Sequence, residues 1–258
     1  MAHPSITVTI LGSGTSSGVP MIACNCEVCI SSDSKDKRLR SSIMVETAST
    51  RIIIDTTPDF RTQMLREDVK NIDAVVFTHS HKDHVAGLDD IRAFNYFQKK
   101  PIDIFATVAT QAALKKEFSY VFEEHKYPGI PDVVLHDIQE DDFKIGDISI
   151  TPISVLHMRM PVLGFRIGDF VYITDANYIS AFEKEKINGA KVILLNALRK
   201  EMHVSHFSLE EACALADECH IDQAYFTHIS HQLGKHTVVN NSLPANRQLG
   251  FDGMRIKL

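Results

Sequence analysis

The chain has 258 residues, 44% hydrophobic and 23% charged, with a net charge of -6. That is enough for one large domain or two small ones and for a full core. The acidic balance argues against nucleic acid as a partner bound through bulk charge. No apolar run approaches the ~20 residues that cross a bilayer, and the N-terminus lacks the charged and apolar regions of a secretory signal. Five cysteines fit reduced thiols and metal ligation better than a disulfide framework. The expectation is a cytoplasmic protein with no membrane contact.

In chain order, Ile6 to Leu11 alternates as a first strand and runs into Gly12-Ser13-Gly14-Thr15-Ser16-Ser17-Gly18-Val19-Pro20. This is a tight loop and not a P-loop, since no Gly-Lys-Ser/Thr follows. Cys24, Cys26 and Cys29 come next, with metal-ligand spacing. Three thiolates want a fourth ligand, and a sulfur-rich set of this kind holds a structural Zn2+. Ser42 to Glu46 and Arg51 to Asp55 read as a hairpin. A short helix should follow with Phe60, Met64 and Leu65 on one face. Ala74 to Phe77 reads as a buried strand.

That strand delivers the densest chemistry in the chain. His79, His81, Asp83 and His84 place three imidazoles and one carboxylate within six residues. His79 and His81 alternate, so in extended backbone they point the same way and can grip one cation. Asp83 and His84 follow a bend and can face a second. Imidazole with carboxylate suits zinc, manganese or iron. A helix should run on through Ile91, Phe94 and Phe97.

The remaining pattern alternates strands and helices without a linker. Ile102 to Phe105 is a strand and Thr110 to Phe118 a helix. Tyr120 to Pro131, which includes His125, is an aromatic, Pro/Gly-containing loop or flap. His157 closes a strand, Asp175 follows the strand Phe170 to Thr174, and His228 follows the strand Asp222 to Thr227. Lys191 to Leu195 is another strand. Ser208 and Glu211 match a capping box. Cys213 and Cys219 read as small core residues. We expect one domain over 1–258 with two similar βα-rich halves and a Cys-rich insert near 24–29.

The run His79-x-His81-x-Asp83-His84, followed in order by His157, Asp175 and His228, resembles the metallo-β-lactamase fold superfamily. The resemblance implies an α/β fold, a four-layer αββα sandwich of two mixed sheets. It further implies two divalent metals, Mn2+ or Zn2+. His79, His81 and His157 would hold one, Asp83, His84 and His228 the other, and Asp175 would bridge them. The Gly/Ser opening, the Cys-x-Cys-x-x-Cys insert and Thr227-His228-Ile229-Ser230-His231 resemble more narrowly the phosphoribosyl 1,2-cyclic phosphate phosphodiesterases of phosphonate breakdown. That family implies His231 as fourth ligand to the structural zinc and His206 as a catalytic residue; we expect His206 to act as general acid and Asp83 to be catalytic as well.

The expected activity is therefore dinuclear-metal hydrolysis of a small cyclic phosphodiester. Rival readings are a tRNA 3′-processing endonuclease, a pyrroloquinoline-quinone biosynthesis-type protein and a non-catalytic metal-binding protein. The first usually carries a protruding basic or glycine-rich arm, which the sequence lacks. The expected partner is a small phosphodiester, with a homodimer as the default assembly.

Overall fold

The computed structural model describes residues 4–123 and 127–258. Among these residues the strands form two seven-stranded sheets. The first half of the chain supplies β1 (Thr7–Gly12), β2 (Ser42–Glu46), β3 (Arg51–Ile54), α1 (Phe60–Arg66), β4 (Ala74–Val76), α2 (Lys82–Val85), α3 (Arg92–Gln98), β5 (Ile102–Ala106), α4 (Val108–Glu117), α5 (Ser119–Phe122) and β6 (Val133–Asp137). The second half supplies β7 (Phe143–Ile145), β8 (Ile148–His157), β9 (Met160–Ile167), β10 (Phe170–Ile173), α6 (Ala181–Ile187), β11 (Val192–Asn196), α7 (Leu209–Glu218), β12 (Gln223–Thr227), α8 (His236–Ser242), β13 (Arg247–Leu249) and β14 (Arg255–Lys257).

The sheet orders are β14-β1-β2-β3-β4-β5-β6 and β13-β12-β11-β10-β9-β8-β7. In the first sheet the pairs from β14 to β3 are antiparallel, and those from β3 to β6 parallel. The second sheet repeats this design, antiparallel from β7 to β10 and parallel from β10 to β13. The two expected similar halves are these two mixed sheets.

Side-chain alternation sets the layers. Ile52 and Ile54 face the second sheet and pack with Phe165, Phe170, Tyr172 and Leu194. Ile53, between them, faces outward onto Phe60, Met64, Ile91 and Phe94. In the second sheet Ile193 and Leu195 face outward onto Ile187, Leu215 and Ala216. The central strands are thus apolar on both faces because helices cover each sheet from outside. The result is the four-layer αββα sandwich expected from sequence. No helix among the described residues is long and apolar enough to cross a membrane.

Three local expectations need correction or narrowing. Leu65 is 63% exposed, because the buried face of α1 follows Phe60 and Met64 at i and i+4. The helix expected to run on through Phe97 is broken. It divides into α2, a 3₁₀ turn at Leu88–Ile91 and α3, and Phe97 is 77% exposed. Gly87 explains the break: its N–H donates to the Thr56 carbonyl at 2.9 Å, and a Cβ there would sit 2.2 Å from the Thr57 carbonyl oxygen. The aromatic loop begins as α5 and packs, with the Tyr120 hydroxyl donating to Asp89 at 2.7 Å. His125 lies outside the described residues. The capping box forms as expected, Ser208 and Glu211 satisfying each other's backbone N–H groups.

The Gly/Ser loop is a packing device. Gly14 N donates to Leu39 O, Thr15 N to Ile229 O and Ile229 N to Ser13 O, at 2.8 to 3.0 Å. A Cβ on Gly12 would lie 1.9 Å from Arg40 O. The loop therefore clamps residues 38–40 against the turn that follows β12.

Candidate metal centre

The donors gather where parallel strands end. Asp55 follows β3, His79 follows β4 after a two-residue link, Asp175 follows β10 and His228 follows β12. Asp55, Asp175 and His228 all have positive φ, at 69°, 53° and 55°. Such values are uncommon outside glycine and concentrate at functional turns. Each turns the chain sharply at the sheet edge and leaves its side chain in the cleft between the sheets. Carboxyl ends of parallel strands are the usual place for a site in open α/β sheets.

Three groups of potential ligand atoms share Asp175, with the atoms of each group within 4.8 Å of one another. The first is Asp83, His84, Asp175 and His228, the second is His79, His81 and Asp175, and the third is His157, Asp175 and His206. The His157 ring lies 5.2 Å from that of His81 and 6.2 Å from that of His79, so it closes the remaining side. His206 lies 4.6 Å from His157 and 4.7 Å from His228, centroid to centroid. Every active-site residue read from sequence thus comes to one place. Asp83 and His84 reach it from the one-turn helix α2, which the tight bend after His81 begins.

The outer partners fix the tautomers. Asp55 accepts from Thr78 N at 2.9 Å, from Thr78 Oγ1 at 2.8 Å and from His84 Nδ1 at 2.7 Å. The Thr78 hydroxyl spends its proton on Asp55, so it accepts from His79 Nδ1 at 2.9 Å. The His157 Nδ1 donates to Ser205 O at 2.8 Å. In His79, His84 and His157 the Nε2 atom is therefore left for the cleft. The Nε2 atoms of His79 and His84 are buried and have no hydrogen-bond partner. An unpaired buried polar atom costs about 1–3 kcal/mol. Two of them facing acidic side chains fit a site for cations, which would use the same lone pairs. The donor set of imidazoles and carboxylates fits divalent metals.

Charge is arranged to match. Burial pushes the Asp175 carboxyl up, but the neighbouring His228 and His84 outweigh it and hold it well below the usual carboxylate range. Asp83 is likewise pushed up by burial and held down, net, by the adjacent His84, whose Nε2 lies 3.3 Å from its carboxylate. Burial keeps His79, His81 and His228 neutral, the form that ligates. His84 is the exception. Burial disfavours its cation, yet Asp175 and Asp55 on either side raise it well above its ordinary value. Burial, then His228, lowers His206 to about 3.

A second cluster joins Cys24, Cys26, Cys29 and His231, again within 4.8 Å. His231 Nδ1 lies 3.4 Å from Cys24 Sγ and 3.3 Å from Cys26 Sγ. The His231 contact, then the Cys29 backbone N–H, lowers the Cys26 thiol to about 6. Three sulfurs and one imidazole make a closed four-ligand set. Cys219 is buried and Cys213 packs beside it in the outer core, as expected of small apolar residues.

Sequence reasoning missed the supporting shell. Asp55 closes a buried apolar strand, and a carboxylate at such a place is the signal it left. Asn196, at the end of β11, pairs its amide with both the N–H and the carbonyl of Ala176 at 3.0 and 2.9 Å and so pins the turn carrying Asp175. The role of Ser205 uses its backbone carbonyl, which no residue type announces.

Residues 50–229 match the family model described as Beta-lactamase superfamily domain. The chain is 38% identical to a diphosphatase from the PhnP family whose crystal structure superposes with a TM-score of 0.92, covering 98% of this chain and 97% of that one. Zn(2+)-bound PqqB from Methylobacterium extorquens superposes at 0.80 with 21% identity, over 98% and 100% of the two chains. An octanoyltransferase from Porphyromonas gingivalis is 36% identical over 248 residues, 95% of this chain but 50% of that protein. The chain thus spans about half the length of that curated relative. Sequence match, superposition and a cleft of imidazoles around ionised carboxylates agree: the chain belongs to the beta-lactamase superfamily and groups there with the PhnP family.

Proposed function

We propose that the chain hydrolyses a P–O bond in a small phosphate diester or diphosphate, of which a phosphoribosyl 1,2-cyclic phosphate is the member expected from sequence. The observation that carries this reading is the position of His206. Its imidazole lies against His157 on one side and His228 on the other, 4.6 and 4.7 Å away, without itself completing the seven-ligand set. The 38%-identical PhnP-family diphosphatase supports phosphorus as the centre attacked.

Divalent cations would be held by His79, His81 and His157, by Asp83, His84 and His228, and by Asp175, and would supply Lewis-acid charge and lower the pKa of water. The chain's own residues do the rest. Asp83 stays ionised beside His84. Burial keeps the His206 ring neutral in the free protein, and the negative charge of a bound phosphate favours its cation. His206 then holds a proton beside the oxygen that leaves and donates it as the P–O bond breaks. A positioned acid of this kind contributes about 10²–10⁴-fold in rate. The Cys24, Cys26, Cys29 and His231 set takes one Zn2+ in a structural role.

The test is hydrolysis of bis(p-nitrophenyl) phosphate, ribose cyclic phosphates and a nucleoside diphosphate sugar, with Mn2+ or Zn2+. Asp83→Ala should abolish turnover. His206→Ala should lower it about 10²–10⁴-fold on sugar leaving groups and less on nitrophenolate, which needs no proton. No turnover of any of these by protein carrying two active-site metals would refute the reading and favour a tRNA precursor or a thioester.

A further inference from the structure

One imidazole at this site is left over. His203 sits three residues before His206, half-buried at the edge of the cleft. Its ring lies 5.4 Å from that of His206 at 26°, and His206 lies 4.7 Å from His228 at 25°. The three rings form a column that runs from a deep donor to the surface. His203 is its outermost member, on the far side of His206 from His228.

The hydrogen bonds of His203 define what it offers. Ser205 Oγ lies 3.1 Å from its Nδ1, and the Ser205 backbone N–H donates to the same atom at 3.4 Å. A backbone N–H can only donate, so Nδ1 accepts and the ring proton resides on Nε2. Among the described residues no protein group accepts from that Nε2–H. Ser205 is also the residue whose carbonyl receives His157 Nδ1, at 2.8 Å, so one buried residue orients both rings. Arg199 holds the loop from outside, donating to Glu201 O at 3.3 Å, Met202 O at 3.0 Å and Gln232 Oε1 at 3.1 Å. The donor is fixed in advance, so little ordering remains to be done when substrate arrives.

Resting on the phosphodiester reading, we infer that His203 is a specificity-determining residue whose Nε2–H binds an oxygen of the leaving group. Because His206 delivers its proton to the departing oxygen, the next ring outward lies on the leaving-group side. Its partner is an acceptor one or two bonds beyond the scissile P–O bond, as on a sugar or a second phosphoryl group. A lysine there would act chiefly as a point charge. A neutral N–H held in one tautomer discriminates by geometry, and a donor left unpaired in a half-desolvated site penalises leaving groups without an acceptor.

The experiment compares kcat/KM for a ribose cyclic phosphate and for bis(p-nitrophenyl) phosphate, whose leaving group carries no acceptor close to the scissile bond. His203→Ala should lose about tenfold on the sugar substrate and stay within about threefold on the nitrophenyl diester, the effect of one hydrogen bond. His203→Gln, which keeps an N–H donor, should recover part of the loss. Ser205→Ala, which keeps its carbonyl, should shift the same ratio in the same direction by less. Bound metal and the unfolding midpoint should match wild type in all three. Equal losses on both substrates, or none on either, would overturn the role of His203 while leaving the phosphodiesterase reading intact. Absence of wild-type turnover on both would overturn the two together.

Discussion

Replacing Asp55 by asparagine tests how the cleft is built. Asp55 touches no cation position, yet it holds both halves of the donor set. Its carboxylate takes His84 Nδ1 directly at 2.7 Å and reaches His79 through the Thr78 hydroxyl, while also accepting from Thr78 N at 2.9 Å. All three partners donate. Asparagine offers one carbonyl oxygen and one NH₂ group, so in either orientation an N–H meets a donor. The Oδ2 position serves both Thr78 Oγ1 and His84, and turning NH₂ toward it would break two bonds. Turning it the other way opposes the Thr78 N–H. The loss is one charge-assisted bond or one unsatisfied buried donor, about 1.5–3 kcal/mol. Spent on orienting His84 Nε2 and His79 Nε2, that is about 10–100-fold in metal affinity. Competition with a chromophoric chelator gives the affinity, and unfolding in excess chelator gives the stability of the metal-free fold. Asp55→Asn affinities within about threefold of wild type would refute the claim that this carboxylate aims the ligands.

Two further outcomes follow from the same geometry. The metal-free His84 is protonated between Asp175 and Asp55, its value raised well above that of a free imidazole, whereas a ligating ring must be neutral. Metal binding should therefore release a proton near neutral pH and weaken as pH falls; calorimetry in buffers of different ionisation enthalpy counts the proton, and a buffer-independent enthalpy would contradict the assignment. His231→Ala should lower bound zinc by one equivalent per chain, measured by elemental analysis, and lower the unfolding temperature. It should leave Asp83, His84 and Asp175 ligated, and an unchanged metal count would show that the Cys24–Cys26–Cys29 cluster holds no ion.

Much of this protein is local in the sequence. The apolar runs that became β3, β4, β10, β11 and β12 are buried on both faces, so they read as strands without knowledge of their neighbours. The His79 to His84 run carries four donors within one turn, because a strand end followed at once by a helix start can present them all. The capping box of α7 is equally local. Asp175, His157 and His228 each stand alone in the chain as an ordinary strand-end residue. Only resemblance grouped them, and only the tertiary structure brings Asp175 into contact distance of all the others.

What sequence left open is what depends on long-range contact. The break at Gly87 exists because the chain passes against Thr56 and Thr57, some 30 residues earlier, and no local propensity records that neighbour. Phe97 therefore turns outward. The short strands β7, β13 and β14 are three residues each and form only by adding to an existing sheet edge. The tautomers of His79, His84 and His157 are set by a threonine hydroxyl next to the first in the chain, and by a carboxylate and a backbone carbonyl far from the other two. The donor types were written in the sequence because ligand chemistry belongs to side chains. Their aim was decided by the fold, because a hydrogen bond depends on distance and angle in space.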